Sequence, residues 1–326
     1  MPRGGHALLA EAVLWQTLRH RHAALPASPL PEVSARHDDF LNRSAGYRES
    51  LAQGEARLDA HEGNSATIEG LTFWVPLDSR SPKSLSDRVL DRGWLPLLDI
   101  LRSREVAVGM AMIDIGANIG TTSIPRAILG DFQVIYAAEP VPANYAALVQ
   151  NVVTNGLTGR ILPDRVAIGS VDGDVRMKLS PRIGGHMVVQ RELSARRAAG
   201  PDHVRVPGTT LDGWVAAMNI DLDQVTFIKC DTQGFEGHVL RGAAGVLQRK
   251  HIAWQMELWP KGLKTSGIEL DEVVERLASQ FTHFIQLRGD IPARRIAPVT
   301  TLSTLMAAYS AGTEKSGFAD LIFFNA

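Results

Sequence analysis

The stretch Ile113-Asp114-Ile115-Gly116-Ala117-Asn118-Ile119-Gly120 decides the fold. An apolar run closes on an acid, a glycine-bearing turn follows, and Thr121-Thr122-Ser123 can open a helix. The next apolar run, Phe132-Gln133-Val134-Ile135-Tyr136-Ala137-Ala138, leads into a second acid, Glu139, 19 residues after Gly120. This is the layout of a nucleoside-binding βαβ unit. Glycine lets the main chain approach a ligand closely, and a carboxylate at the end of the second strand can accept hydrogen bonds from ribose hydroxyls.

Strand and helix patterns alternate from Met110 onward, which predicts an α/β domain with a parallel sheet. Strands are expected over Ala111–Ile115, Gln133–Ala138, Arg160–Ile168, Val225–Cys230, Ile252–Glu257, His283–Leu287 and Leu321–Phe324. Helices are expected over Thr121–Leu129, Pro142–Asn155, Phe235–Arg249 and Glu269–Phe281. Val171–Ser180 has the pattern of a β-hairpin, and Arg182–Val206 reads as an insertion without clear period. Without a convincing helix between the last two strands, the final strand should run antiparallel to the one before it. The expectation is an open, Rossmann-like sheet of seven strands over residues 106–326.

Residues 1–105 read as a mainly helical appendage. Ala7–Leu25 can form an amphipathic helix ended by Pro26, Pro29 and Pro31, and Ala66–Pro76 alternates like a strand or hairpin. The helix offers a surface for homodimer contacts or a cap over a pocket. The chain of 326 residues is 45% apolar and 21% charged with net charge −1, an ordinary globular composition that gives no reason to expect nucleic acid or membrane as partner. The single Cys230 excludes an intrachain disulfide and a multi-cysteine zinc site, which points to a reducing cytoplasm. Leu8–Trp15 is interrupted by Glu11 and runs into Arg19-His20-Arg21-His22, too short and polar for a signal peptide or membrane span.

The choice of nucleoside cofactor rests on the turn. A nicotinamide dinucleotide normally uses G-x-G-x-x-G, whose second glycine admits a pyrophosphate at the helix N-terminus. Here Asn118 takes the critical position, and Asp114 would set a negative charge beside the phosphates. Both suit a cofactor without phosphates whose amino-acid end carries an ammonium: S-adenosylmethionine. The seven-stranded sheet with an antiparallel last strand is that of class I methyltransferases. Two other readings stay open: a cofactor-binding or assembly protein without catalysis, and an NAD-dependent oxidoreductase.

Five segments stand in order: Asp114–Gly120, Glu139-Pro140, Asn151–Leu157, Thr210-Leu211-Asp212, and Ile228–Ala243 with Asp231-Thr232-Gln233-Gly234-Phe235-Glu236-Gly237 at its centre. Together they resemble the FkbM-like family of S-adenosylmethionine-dependent methyltransferases, over roughly residues 105–260. The resemblance implies methylation of hydroxyl oxygens on polyketides, sugars or related secondary metabolites, so the partner implied is a small hydroxylated acceptor. The common family form carries an acid before the glycine of the last segment, where this chain has Gln233.

Asp114, Gly116, Asn118, Gly120 and Glu139 are the expected cofactor ligands, with Ala167 beside the adenine and Asp231 facing both sulfonium and acceptor. The structural alternatives are a ligand-free turn, a solvated carboxylate at 139, and a helix cap at 231. Asp231, His186 and Glu257 are the candidate catalytic groups. An alcohol needs a base at neutral pH, and a histidine in Gly184-Gly185-His186-Met187 could supply one. Glu236 reads as a first-turn carboxylate that favours the helix dipole. Lys229 is expected on the face of its strand opposite Asp231, with no partner identifiable. No acidic ligand motif is present, yet Asp231 and Glu257 end sequential strands and could share Mg²⁺. Trp254 and Trp259 are expected to pack in the core.

Overall fold

The computed structural model describes residues 65–68, 71–74, 110–128, 130–180, 187–188, 203–287, 296–312 and 317–326. The expected helix Ala7–Leu25 and the boundary near residue 105 lie outside them. The strands are β1 (Ser65–Ile68), β2 (Leu71–Trp74), β3 (Ala111–Ile115), β4 (Val134–Ala138), β5 (Ile161–Asp164), β6 (Ala167–Gly169), β7 (Gly173–Lys178), β8 (Met187–Val188), β9 (His203–Thr210), β10 (Val225–Cys230), β11 (Ala253–Leu258), β12 (His283–Gln286), β13 (Ile296–Pro298) and β14 (Ala319–Phe324). The helices are α1 (Ser123–Ile128), α2 (Pro142–Thr154), α3 (Leu211–Ala217), α4 (Glu236–Arg241), α5 (Pro260–Thr265), α6 (Leu270–Gln280) and α7 (Leu302–Ser310).

The main sheet has the order β13-β12-β14-β11-β10-β3-β4-β5. β5, β4, β3, β10 and β11 are parallel, and β14 is antiparallel to both β11 and β12. This is the class I methyltransferase arrangement with one addition: the sheet has eight strands, not seven, because β13 pairs antiparallel with the edge of β12. A three-residue strand ending on Pro298 gives too little pattern to read from sequence.

The central strands are buried on both sides, as parallel strands covered by helices must be. Alternate residues serve two separate cores. Ala111, Ile113, Ile115, Val134, Tyr136, Ile228, Trp254 and Met256 belong to one, while Met112, Ile135, Ala137, Phe227 and Ala253 belong to the other. Burying these apolar faces at roughly 25 cal/mol per Å² is the main stabilisation of the layers.

Four expectations need correction. The strand over Arg160–Ile168 is two strands in different sheets: β5 ends at Asp164 in the main sheet, and β6 joins a second sheet of order β6-β9-β7-β8. The hairpin over Val171–Ser180 supplies only β7, whose main partner is β9, from the insertion that has no clear period in sequence. The helix over Phe235–Arg249 stops at Arg241 with Gly242 as its C-cap, where a Cβ would lie 2.0 Å from the Gly169 carbonyl oxygen, so only glycine fits. Between β12 and β14 a helix does form: α7 buries Leu302, Met306 and Tyr309 at helical spacing, but its Ser and Thr content and weak amphipathy mask it.

The Thr210-Leu211-Asp212 segment has a structural duty. Thr210 caps α3 by accepting a hydrogen bond from Gly213 N, and the Asp212 carboxylate accepts from Gly245 N and Val246 N. No helix among the described residues is long and apolar enough to cross a membrane.

The β1–β2 hairpin, expected as a strand or hairpin over Ala66–Pro76, packs on α2, and the side chain of Asn151 ties the two together. The fully buried Asn151 accepts from Trp74 N (2.6 Å) and donates to Trp74 O (3.2 Å) and Ile119 O (2.8 Å). Asn151→Ala should therefore lower stability by about 2–4 kcal/mol, since it removes three hydrogen bonds at once, one of them to the buried Ile119 carbonyl. Urea unfolding of the variant beside the wild type measures this, and a change within a few tenths of a kcal/mol would exclude the role.

A candidate active site at the carboxyl ends of the strands

In an open α/β sheet, ligands sit where parallel strands end. Here a cleft of about 460 Å³ opens beyond β3, β4, β10 and β11. Gly116, Asn118 and Thr121 form one side, and the second sheet supplies Ala167, Met177 and Val188 as an apolar wall. Trp259 and Phe318 also line the cleft, so Trp259 is not a core residue like Trp254, which is buried.

The turn after β3 is fixed by its neighbours. Gly116 N and Ala117 N both donate to Ala138 O, and Asp231 N donates to Ile115 O. Gly116 has φ +78°, and a Cβ there would lie 2.0 Å from the Asp231 carbonyl oxygen. Only glycine fits both conditions. Asn118 is left-handed at φ 56°, which aims its N–H at Glu139 Oε2 (2.8 Å), while Val141 N donates to Glu139 Oε1 (2.9 Å). Glu139 is buried at the cleft wall. Burial pushes its pKa from 4.5 up to about 7, against the lowering effect of the two backbone donors and of Lys229.

Not every expected ligand reaches the cleft. Gly116, Asn118, Glu139, Ala167, Asp231 and Glu257 line it, whereas Asp114 and Gly120 do not. Asp114 is fully buried beneath the turn. Its Oδ2 accepts from Ser123 Oγ (2.6 Å), and its Oδ1 pairs with Lys229 Nζ at 3.1 Å. The parallel register places Lys229 beside Asp114 on the adjacent strand. Lys229 Nζ also donates to Gly116 O (2.9 Å) and lies 3.8 Å from Asp231 Oδ2. Lys229 and Asp231 are thus on the same side, as residues two apart on a strand must be. Burial alone would lower the lysine pKa, but Asp114 and Asp231 more than offset it and hold the ammonium charged. The expectation that Asp114 sets an unpaired negative charge beside a bound cofactor does not hold, since Lys229 pairs with it beneath the turn.

Asp231 follows β10, and its Oδ1 accepts from Gln233 Nε2 at 2.9 Å. The same nitrogen donates to Glu257 Oε1 at 3.0 Å. Metal sharing between Asp231 and Glu257 does not fit this arrangement, because an amide donor already joins them. Among the described residues, no group of three or more His, Cys, Asp or Glu side chains could hold a metal ion. Glu236 is not a catalytic group in the cleft: its Oε1 accepts from Thr232 N, Thr232 Oγ1 and Gly234 N, and so closes the turn after Asp231. Asp320 on β14, in register opposite Glu257, lines the cleft and is buried. Sequence reading missed it because its short strand is otherwise apolar; its acid is the one available signal. His186 lies outside the described residues.

Glu236 is fully buried, and burial raises its pKa from 4.5 to about 7 despite its hydrogen bonds, with Asp231 adding to the rise. A carboxyl whose folded pKa is raised gives stability that is fully present below its unfolded value and lost as pH rises through the folded one. Chemical denaturation should therefore show stability falling between pH 4.5 and about 7, by up to roughly 3 kcal/mol from Glu236 and a similar amount from Glu139. The double variant Glu139→Gln, Glu236→Gln should flatten that limb; an unchanged slope would contradict the assignment.

The geometry can be set beside known proteins. Similar solved structures include the methyltransferase FkbM from Methylobacillus flagellatus KT (15% identity, 66% of this chain and 44% of that one, TM-score 0.38). Others are the METTL16 methyltransferase domain (14%, 78% and 73%, 0.43) and a human methyltransferase 10 domain containing protein (14%, 85% and 96%, 0.41). The chain thus spans less than half the length of the Methylobacillus protein. No curated protein matches the chain. The profile of the methyltransferase FkbM domain matches residues 114–289, more than half of the sequence, and starts at the acid that anchors the buried lysine. The chain belongs to the FkbM methyltransferase domain family.

Proposed function

We propose that the cleft binds S-adenosylmethionine and that the chain methylates a hydroxyl oxygen of a small secondary metabolite, a polyketide or sugar. The observation that carries this reading is the charge of the cleft lining. Glu139, Asp231, Glu257 and Asp320 line it, while Lys229, the one cation among its described lining residues, is shared between Asp114 and Asp231. Such a lining suits a ligand that brings a diol, an ammonium and a sulfonium, and it repels phosphates. The same argument speaks against a pyrophosphate cofactor and a nucleic-acid acceptor. Asn118 Oδ1, buried with no hydrogen-bond partner among the described residues, is an acceptor in want of a donor at the cleft wall.

Glu139 would hold the ribose through hydroxyl donors, the apolar wall at Ala167 would face the adenine, and Asp231 would stand nearest the reacting end. When bound, S-adenosylmethionine supplies a methyl group activated by its sulfonium sulfur. What the chain adds is orientation of the acceptor oxygen and removal of its proton. Asp231 is the leading proton acceptor, since it ends a central strand and faces the cleft. Glu257, bound to the same amide, and His186, from the insertion, are the other candidates. Neither divalent metal nor dimerisation is required by this scheme.

Calorimetry with S-adenosylhomocysteine tests the cofactor. The wild type should bind it and not NADH, and Glu139→Gln should weaken binding about tenfold or more, the worth of a charged hydrogen bond. Because ribose hydroxyls favour the ionised carboxylate, affinity should rise with pH through about 7 and become flat in the variant. Asp231→Asn should leave that affinity within a few-fold while abolishing methyl gain, read by mass spectrometry, in a screen of hydroxylated acceptors. Binding without transfer to any acceptor would favour a non-catalytic role, and no binding would end the reading.

A further inference from the structure

Gln233 stands out twice. It is one of three non-glycine residues with positive φ among the described residues, at 56°. Such conformations are sparsely populated for side-chain-bearing residues and concentrate at functional sites. Its backbone is held there from both sides. Glu236 Oε1 fixes Thr232 N and Gly234 N, and a Cβ on Gly234 would lie 2.5 Å from the Gly262 carbonyl carbon. The consequence is that the Gln233 side chain turns back into the cleft rather than out to solvent. There one nitrogen donates both its hydrogens, at 2.9 Å to Asp231 and at 3.0 Å to Glu257.

Two carboxylates at the ends of neighbouring strands repel each other unless something positive lies between them. Three things can do so: a shared proton, a divalent cation, or a donor group. A shared proton would silence the base. A cation needs oxygen ligands turned toward it, and Gln233 turns a donor instead.

We propose that Gln233 is a positioning residue whose side-chain amide stands in for a cation, bridging Asp231 and Glu257 so that Asp231 faces the acceptor hydroxyl. A carboxylate at the same position would complete a cluster of three acids from adjoining chain segments and turn the bridge into a divalent-metal site. The role rests on the methyltransferase reading above, but the geometry that it requires does not.

The test uses the full chain and Mn²⁺ as probe, with free Mn²⁺ read by its electron paramagnetic resonance. The wild type should bind Mn²⁺ only weakly. Gln233→Glu should bind it roughly a hundredfold more tightly, and the added change Asp231→Asn should abolish the gain. Gln233→Ala, which removes the donor without adding a ligand, should gain a smaller affinity, so the proposal stays testable if the glutamate variant fails to fold. If neither folded variant binds Mn²⁺ more tightly than the wild type, the bridging role is wrong. With an acceptor from the screen, Gln233→Met should lower kcat about tenfold or more with KM for S-adenosylmethionine unchanged, and Mn²⁺ should restore Gln233→Glu alone; full kcat in Gln233→Met would overturn the proposal. Absence of S-adenosylhomocysteine binding to the wild type would instead defeat the methyltransferase reading, whatever the Mn²⁺ result.

Discussion

A charged lysine in the middle of a sheet is the constraint that the site is built around. Moving an unpaired ammonium into a protein interior costs several kcal/mol even after relaxation, so Lys229 needs oxygen on every side that it can reach. It finds Asp114 from the neighbouring strand, the Gly116 carbonyl from the turn above, and Asp231 two residues along its own strand. Each partner belongs to a different part of the machinery. The turn that shapes one half of the cleft and the acid that serves the other half are therefore held to a single point charge. A shift of the turn would lengthen a bond to a cation that has few replacements at that depth.

The electrostatics outside this point follow from it. Lys229 is shared between Asp114 and Asp231, and the cleft lining sets four carboxylates against this one cation. Burial then acts on Glu139, whose ionisation lies near neutrality and not in the usual carboxylate range. The small second sheet adds the opposite character, an apolar wall of Ala167, Met177 and Val188. A ligand with a flat apolar ring at one end and positive charge at the other matches that division.

Much of this was legible in the residues. The βαβ unit, the parallel strands and the acids at their ends follow from periodicity and from glycine at the turn, because strands buried on both faces must be apolar throughout. The pairing of Lys229 was not, since a strand pattern tells which residues share a face but not which neighbour stands alongside. Only the register, Lys229 against Asp114 and Gln255, reveals it. The same missing information misplaced Asp114, which reads as a ligand but lies under the turn. Asp320 and α7 were hidden for another reason: short, weakly amphipathic elements carry too few residues for a period to show. Gln233 was visible as a departure from the family form, yet its left-handed backbone, which gives that departure its direction, is a property of the folded turn.

The Asn151 staple has a consequence for where the folded unit begins. The same amide nitrogen that holds Ile119 O in the turn after β3 also reaches Trp74 O, and the Trp74 indole donates to Thr154. A truncation placed just ahead of the family match at residue 114 would therefore uncover a polar side chain that α2 keeps at zero exposure. The catalytic half and its upstream hairpin are divisible on a sequence map but share a hydrogen-bonded seam in space. An excised fragment would inherit that seam as an open edge directly behind the turn after β3.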